Sequence, residues 1–587
     1  MHLISRRVRQ LGVLSKIYPT DVNAHDLKDA WGVIISGGPN SVTDQKLSYD
    51  PGIFDLDVPI LGLCYGHQLM THHYGGIVTP AHNREYGMAT LTVLNKDSLL
   101  KGLEDTEQAW MSHWDSVTQV PEGFEVIGTT EDCPVGAMAN VEKKRYGLQF
   151  HPEVHHTTHG QTLLENFVFN ICKAEKNWSM EEYLAQLKEE ITNQVGEKKV
   201  FLLVSGGVDS SVAFALLEEV LGKGNVYGLH IDNGFMRSNE SALVKKSLAA
   251  AGFDDLHVVD ASDRFISAVK GMIDPEEKRH AIGKVFLDVQ KDVFAELKFK
   301  QSEWLLGQGT IYPDTIETGG TNASDTIKTH HNRVPEIVEM INAGQVVEPL
   351  ANLYKDEVRE LGTQIGLPEK LIQRWPFPGP GLSIRCLGSD GKETIENSEG
   401  MNSAIETIVS DSGLTGEVMS VRSVGVQGDQ RSYQHPAVIH GAKGIAWAKL
   451  SKLSVKMTND INSINRVVAH VGGNVDFSKM TTHEAFLTKA RLVLLRKADS
   501  AMDKIVRKHN LQEAIWQFPV ILLPVTFGTG ESVVLRPIQS QEAMTVNFYH
   551  MDKKVLGEMT DALLAIKGIE AVFYDITNKP PATIEWE

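Results

Sequence analysis

The stretch Val200-Phe201-Leu202-Leu203-Val204-Ser205-Gly206-Gly207-Val208-Asp209-Ser210-Ser211 decides how the middle of this chain folds. The apolar run Val200–Val204 reads as a buried strand, and the pattern Ala213–Leu221 reads as a helix. Between them the glycines allow a tight turn whose successive N–H groups point inward. That makes an anion-binding nest, to which the following helix adds its positive dipole end. Gly206 and Gly207 permit close backbone approach to a phosphate, while Ser205, Ser210 and Ser211 supply hydroxyl donors. The stretch lacks the Gly-Lys-Ser/Thr ending of the Walker loop, so a different phosphate chemistry is expected.

Upstream, the apolar run Val58–Leu63 leads into Gly62-Leu63-Cys64-Tyr65-Gly66-His67-Gln68. Small residues two positions either side of Cys64 allow the sharp strand-to-helix turn that exposes a nucleophile. The helix that follows favours the thiolate. His151-Pro152-Glu153 stands after the apolar run Tyr146–Phe150. A Cys, a His and a Glu in these roles suit a triad in which the imidazole activates the thiol and the carboxylate orients the imidazole. Ser36-Gly37-Gly38-Pro39 follows the strand-like Gly32–Ile35. The N–H of Gly38, with that of Tyr65, is placed to stabilise an oxyanion.

Composition bounds the rest. The chain has 587 residues, room for about three or four domains. Its 42% hydrophobic and 22% charged content is that of an ordinary globular protein. No apolar stretch reaches membrane-spanning length, and the N-terminus carries no signal-peptide pattern, so a cytoplasmic location is expected. Four cysteines (Cys64, Cys133, Cys172, Cys386) are too few for a disulfide framework and offer no paired metal-ligand spacing. A net charge of −18 argues against nucleic-acid binding and leaves phosphate recognition to local sites.

Strand-like and helix-like segments alternate up to about Lys370, which predicts parallel α/β architecture. A polar helical segment, Met180–Thr192, marks a first boundary near residue 177. Pro376-Phe377-Pro378-Gly379-Pro380-Gly381 fits neither helix nor central strand and marks a second at 375. Beyond it, strand-like Val533–Ile538 and Ala571–Ile576 flank the helical Lys553–Ile566, an α+β tail.

Ser205–Ser211 resembles the PP-loop of ATP pyrophosphatases, which cleave ATP between its α- and β-phosphates. The Gly-Gly-Pro, Gly-x-Cys-x-Gly and His-Pro-Glu elements resemble class I glutamine amidotransferases, which release ammonia through a cysteinyl thioester. Further strings extend the likeness over nearly the whole chain: His230–Arg237, Pro275–Gly283, Leu306–Glu317, Thr326–Asn332, Leu353–Gly362, Pro376–Arg385, Val424–Tyr433 and Asp575–Glu587. Together they resemble the glutamine-hydrolysing GMP synthase family, and the tail Asp575–Glu587 is the sharpest marker. The resemblance implies an amidotransferase domain at 1–177, an ATP pyrophosphatase domain at 178–375, and a C-terminal domain at 376–587 for dimerisation and nucleotide binding. It implies glutamine, ATP and xanthosine 5′-monophosphate (XMP) as substrates, with Mg²⁺. By the same likeness Cys64, His151 and Glu153 form the triad and Gln68 contacts glutamine. Ser205, Gly206, Gly207, Val208, Asp209, Ser210 and Ser211 hold ATP, Asp209 touches Mg²⁺, and Lys328 and Lys355 steady pyrophosphate. Arg279, Asp429, Gln517, Lys579 and Glu585 contact XMP.

The chain also departs from the family pattern. Its opening, Met1-His2-Leu3-Ile4-Ser5-Arg6-Arg7, lacks the usual first apolar strand and loop, so the amidotransferase domain is expected to miss an interior strand. Trp114 stands where the family commonly has glycine, near the expected glutamine pocket. The C-terminal third is longer than the compact bacterial type, which leaves a homodimer open.

Overall fold

A computed structural model of the chain describes residues 1–38, 41–42, 49–154, 156–297, 300, 302–312, 314, 340–341, 343–427, 430–441, 444, 446–540 and 546–587, without the side chains of residues 2, 80–86, 114, 427, 430 and 431. Residues 1–187 form one compact unit, and residues 188–311 with 331–587 form the other.

The first unit opens with helix α1 (His2–Gln10) and is built on a seven-stranded sheet. Its strands are β1 (Val33–Ile35), β2 (Ile60–Leu63), β3 (Ile77–Val93), β4 (Thr106–Gln119), β5 (Glu125–Thr129), β6 (Ala137–Asn140) and β7 (Arg145–Leu148), in the order β1-β2-β7-β6-β5-β3-β4. Only β1, β2 and β7 run parallel; the pairings from β7 through β4 are antiparallel. The purely parallel expectation therefore holds for one half of the sheet. The other half is dominated by the long β3 and β4, which pair along most of their length instead of crossing over through a helix. Strand β2 is buried at every residue, as a strand covered on both faces must be. Leu61 and Leu63 pack into one core and Ile60 into the other. Strand β1 lies at the end of the sheet order, and its three residues are only half-buried. Helix α2 (Tyr65–His73) leaves β2 directly, and α3 (Gly160–Glu165) follows β7. Helix α4 (Met180–Val195) is close to the predicted polar helix, and the break between the compact units falls within it, ten residues past the expected 177.

The second unit contains a fully parallel five-stranded sheet of β8 (Lys199–Leu203), β9 (Val226–Asp232), β10 (Leu256–Asp260), β11 (Trp304–Gly307) and β12 (Val346–Val347), ordered β10-β9-β8-β11-β12. Helices α5 (Val208–Leu221), α6 (Glu240–Ala250), α7 (Ser262–Ala268) and α8 (Pro275–Leu297) connect and cover it. A second, mixed sheet orders Thr415–Val418, Gln430–His440, Ile464–Gly472, Ile569–Asp575, Glu531–Leu535 and Val520–Leu523, with Ser423–Gln427 paired onto the second strand. Compactness does not break at residue 375. Phe201 and Leu229 of the parallel sheet and Phe265 of α7 share one apolar core with Leu382, Ile405, Leu492 and Val533. The Pro-Gly run is a turn within this body.

Candidate active sites

The first centre forms where β2 meets α2. Cys64 caps the helix with φ 50° and ψ −105°, a left-handed backbone that a non-glycine residue adopts only under constraint. Its flanking glycines explain how this is possible. A Cβ on Gly62 would lie 2.4 Å from the Gly66 carbonyl oxygen, and one on Gly66 would lie 2.1 Å from that of Ile35. The turn is thus wedged against β1 with no room for side chains, and the Cys64 N–H is tied to Leu148 O at 2.7 Å.

Around the thiol the predicted partners converge. His151 Nδ1 lies 2.9 Å from Glu153 Oε1, which leaves its other nitrogen for the Cys64 thiol, with which the ring is hydrogen-bonded. Burial pulls the imidazole down, but the bonds to Cys64 and Glu153 and their charge outweigh it and carry it up to about 10. The pair is therefore arranged as an imidazolium beside the Cys64 sulfur. Gly37 backs the site: a Cβ there would sit 3.2 Å from the His151 ring and 3.6 Å from Cys64 Cβ. Gly38 lies against the ring of Tyr65, the first residue of α2. Gln68 is buried and donates to Asp115 O at 2.7 Å and to Gln149 Oε1 at 3.2 Å, so its amide is occupied within the protein. Sequence reasoning missed Gln149, fully buried with Nε2 3.7 Å from Cys64 Sγ, and Arg7, whose Nε donates to Glu153 O at 3.1 Å. Gln149 sits two residues before His151, and that adjacency was its only signal. The side chain of Trp114 lies outside the described residues.

The second centre crowns β8. Gly206 has φ 83°, and Gly207 caps α5. Ser205 Oγ receives the Gly207 N–H at 3.2 Å and pairs with Ser210 Oγ at 2.9 Å, so the hydroxyls pre-shape the turn. Val208 and Ser211 are buried in the first turn of α5, and Ser211 N–H closes onto Gly207 O at 3.1 Å. Gly309 presses on this turn from β11's end, where a Cβ would come within 2.9 Å of Ser210 Cα. Asp209 pairs with Lys355 through Oδ2, while its Oδ1 is buried without a hydrogen-bond partner. Lys328 lies outside the described residues. Arg374, not singled out by the sequence, donates to Gly206 O at 2.6 Å and pairs with Glu240 at the start of α6. Burial and the neighbouring Arg237 and Arg507 pull its guanidinium down to about 10.

Of the predicted nucleotide-contacting residues, only two are in direct contact with each other among the described residues. Glu585 and Gln517 meet at 3.1 Å, and Glu585 is clamped by the buried Arg385 at 2.9 and 2.7 Å. Phe377, from the Pro-Gly turn, has Arg385 and Arg237 over its ring at 5.3 and 4.7 Å. Arg279 instead bonds Glu276 at 2.5 Å, and Tyr433 reaches the same oxygen at 3.3 Å. Lys579 pairs by its backbone with Val546. Asp429 lies outside the described residues. The terminal tail is locked in place: Lys278 and Glu587 form a buried pair at 2.7 Å, and the fully buried Trp586 donates to Asp575 at 3.0 Å.

Comparison with known proteins identifies three parts of the chain. Residues 1–171 match the family described as glutamine amidotransferase class-I, residues 179–282 match NAD synthase, and residues 504–586 match GMP synthase C terminal domain. The chain is 43% identical to a probable glutamine-hydrolysing GMP synthase of Leptospira interrogans, covering 100% of this chain and 97% of that one. It is 42% identical to the glutamine-hydrolysing GMP synthase of Geobacillus kaustophilus, covering 79% of this chain and 94% of the relative. The solved structure of a putative GMP synthase subunit from Thermoplasma acidophilum is 32% identical, covering 29% of this chain and 87% of that chain with a TM-score of 0.28. NAD synthase shares the ATP-pyrophosphatase loop, so the middle match agrees with the loop and the C-terminal match separates the two activities.

Proposed function

The chain belongs to the glutamine-hydrolysing GMP synthase family, ligases that form a C–N bond in purine biosynthesis, and from that premise we propose how its residues divide the reaction. Cys64 attacks the carboxamide of glutamine while His151 carries the proton, and Glu153 keeps the ring in the required tautomer. The amide N–H groups of Gly38 and Tyr65 meet the oxyanion. His151 then protonates the departing ammonia, and water frees glutamate from the thioester.

At the second centre Ser205–Ser211 hold the phosphates of ATP, and Lys355 swings from Asp209 to the departing pyrophosphate. The 2-oxo oxygen of XMP attacks the α-phosphorus, giving an adenylylated base and pyrophosphate. Ammonia adds at C2 and AMP leaves, which yields GMP. Adenylylation is needed because the bare oxo group is a poor leaving group at neutral pH. Asp209 fits a Mg²⁺ contact, since its Oδ1 is a buried hard donor with no partner; the ion would neutralise phosphate charge there. Glu585, Gln517, Lys579, Arg279 and Asp429 contact the XMP nucleotide. By sequence the chain divides as 1–177, 178–375 and 376–587, the last two sharing one compact body; the family reading puts its work in the cytoplasm and leaves a homodimer open.

The observation that most supports this reading is the strained Cys64 elbow with its thiol bonded to a Glu153-held imidazole. Cys64→Ala is expected to abolish GMP formation from glutamine and spare formation from ammonium salts. Initial rates with each donor measure this, and an equal loss with ammonia would overturn the division of labour.

A further inference from the structure

At the end of α5 remote from the nucleotide loop, three carboxylates converge that the reaction above does not use. Glu218 comes from the last turn of α5, and Asp254 and Asp255 come from the loop that leads into β10. One oxygen from each lies within 4.8 Å of the others. Two ligand oxygens bound to one ion at about 2.4 Å can stand at most about 4.8 Å apart, so the three are already within reach of a common ion.

Glu218 is the decisive member. It is only 4% exposed, and both of its carboxylate oxygens are buried without a hydrogen-bond partner. Burial and the charges of Asp255 and Asp254 push its carboxyl up to about 6, and the backbone amides of Asp254 and Asp255, which face it without reaching hydrogen-bond geometry, offset this only in part. A buried carboxylate in that state is costly unless something positive meets it. Lys223 does not: its ammonium pairs with Asp254 Oδ1 at 2.9 Å on an exposed edge. Asp255 spends one oxygen on the Gly224 N–H at 2.6 Å and keeps the other.

We propose that Glu218, Asp254 and Asp255 bind a hard divalent cation of the Mg²⁺, Mn²⁺ or Ca²⁺ class, at a site separate from the nucleotide loop. The donor set is all carboxylate oxygen, with no imidazole or thiolate, which selects hard cations over zinc or copper. Asp254 and Asp255 are partly exposed and leave positions for water to complete the shell. Nine helical steps separate Glu218 from Asp209, about 13.5 Å at 1.5 Å per residue, so one ion cannot serve both. The ion would tie the end of α5 to the loop before β10 and so brace the helix whose other end carries the phosphate nest.

The test uses the full chain, stripped of metal with a chelator and free of nucleotide, titrated with Mn²⁺ and followed by its electron paramagnetic resonance signal. The wild type is expected to take up one Mn²⁺ that Glu218→Gln lacks or binds at least about tenfold more weakly. Lys223→Gln, an exposed change that removes a competing cation, is expected to bind as tightly as the wild type or more so. Should Glu218→Gln fail to fold, Asp254→Asn alters only an exposed side chain and is expected to weaken the same site. Mn²⁺ binding that is absent from the wild type up to millimolar concentration, or unchanged in Glu218→Gln or Asp254→Asn, overturns the proposal.

Discussion

Asp575→Asn tests whether the tail is held by charge. The Asp575 carboxylate is fully buried; its Oδ2 accepts from Arg466 at 2.6 Å and Trp586 Nε1 at 3.0 Å and forms an ion pair with Arg536 at 2.8 Å, and its Oδ1 accepts from the Thr577 N–H at 3.0 Å. Every contact demands an acceptor. An amide turned either way points its NH₂ at donors, toward the two arginines or toward Thr577. Both guanidiniums are also fully buried, so the substitution leaves two cations without the anion they share. Breaking one buried pair costs about 3–5 kcal/mol; because the two pairs share one carboxylate their costs do not simply add, and the expected loss is about 4 kcal/mol. The damage reaches the tail, since Arg466 also donates to Thr583 O and Glu585 O, each at 3.2 Å. Urea unfolding is expected to shift by that amount, and GMP formation is expected to fall with both nitrogen donors. The two arginines hold the Asp575 carboxyl below its usual value despite its burial. Its stabilisation is therefore complete above an unfolded value near 3.9 and vanishes as pH drops through the lower folded value, so wild type and variant converge in strong acid. A stability change below about 1 kcal/mol at pH 7, with amination intact, would refute the reasoning.

Two further outcomes follow from the first centre. Gly66→Ala drives a Cβ to 2.1 Å from the Ile35 carbonyl oxygen, so β1 or α2 must move; glutamine-dependent rates are expected to collapse while ammonia-dependent rates hold, as parallel assays will show. His151 sits near 10 in the folded chain against about 6.5 when unfolded. Its contribution to stability is full below 6.5 and is lost as pH rises toward 10, so thermal unfolding of the amidotransferase unit should weaken over that window, and Glu153→Gln should flatten the dependence.

What the sequence discloses and what it hides follow a physical line. The two strand–turn–helix motifs were readable because each is local: Gly62 and Gly66 flank Cys64 by two residues, and Gly206 and Gly207 sit between a run of apolar residues and a helix. Periodicity placed α4 and α5 well for the same reason. The antiparallel half of the first sheet was missed, because alternation of elements says which segments exist but not how neighbouring strands, such as β3 and β4, choose to pair. Lys278 shows the same limit at a single residue. It lies within the string Pro275–Gly283, where nothing local marks it out, yet it is wholly buried against Glu587, more than three hundred positions away. Arg374, Arg385 and Glu240 were silent for the same cause, since an ion pair between distant segments leaves no local pattern.

The two centres also obtain their order by different means. The thiol is held by steric exclusion: glycines without side chains let three backbone segments touch, and the resulting strain at Cys64 leaves it one direction to point. The nucleotide region is held by charge: Arg374 on Glu240, Lys355 on Asp209, Arg385 on Glu585 and Lys278 on Glu587 each bind one segment to another far along the chain. This difference suits the chemistry. Thioester formation needs a nucleophile fixed within about half an ångström and little net charge, which packing supplies. A site for two phosphorylated nucleotides must receive several negative charges at once, and cations already desolvated by carboxylate partners can exchange those partners for phosphate oxygens. The carboxylates released in that exchange then need a new counterion, and under the proposed reading a Mg²⁺ ion held at Asp209, whose Oδ1 is already unpartnered, would supply it.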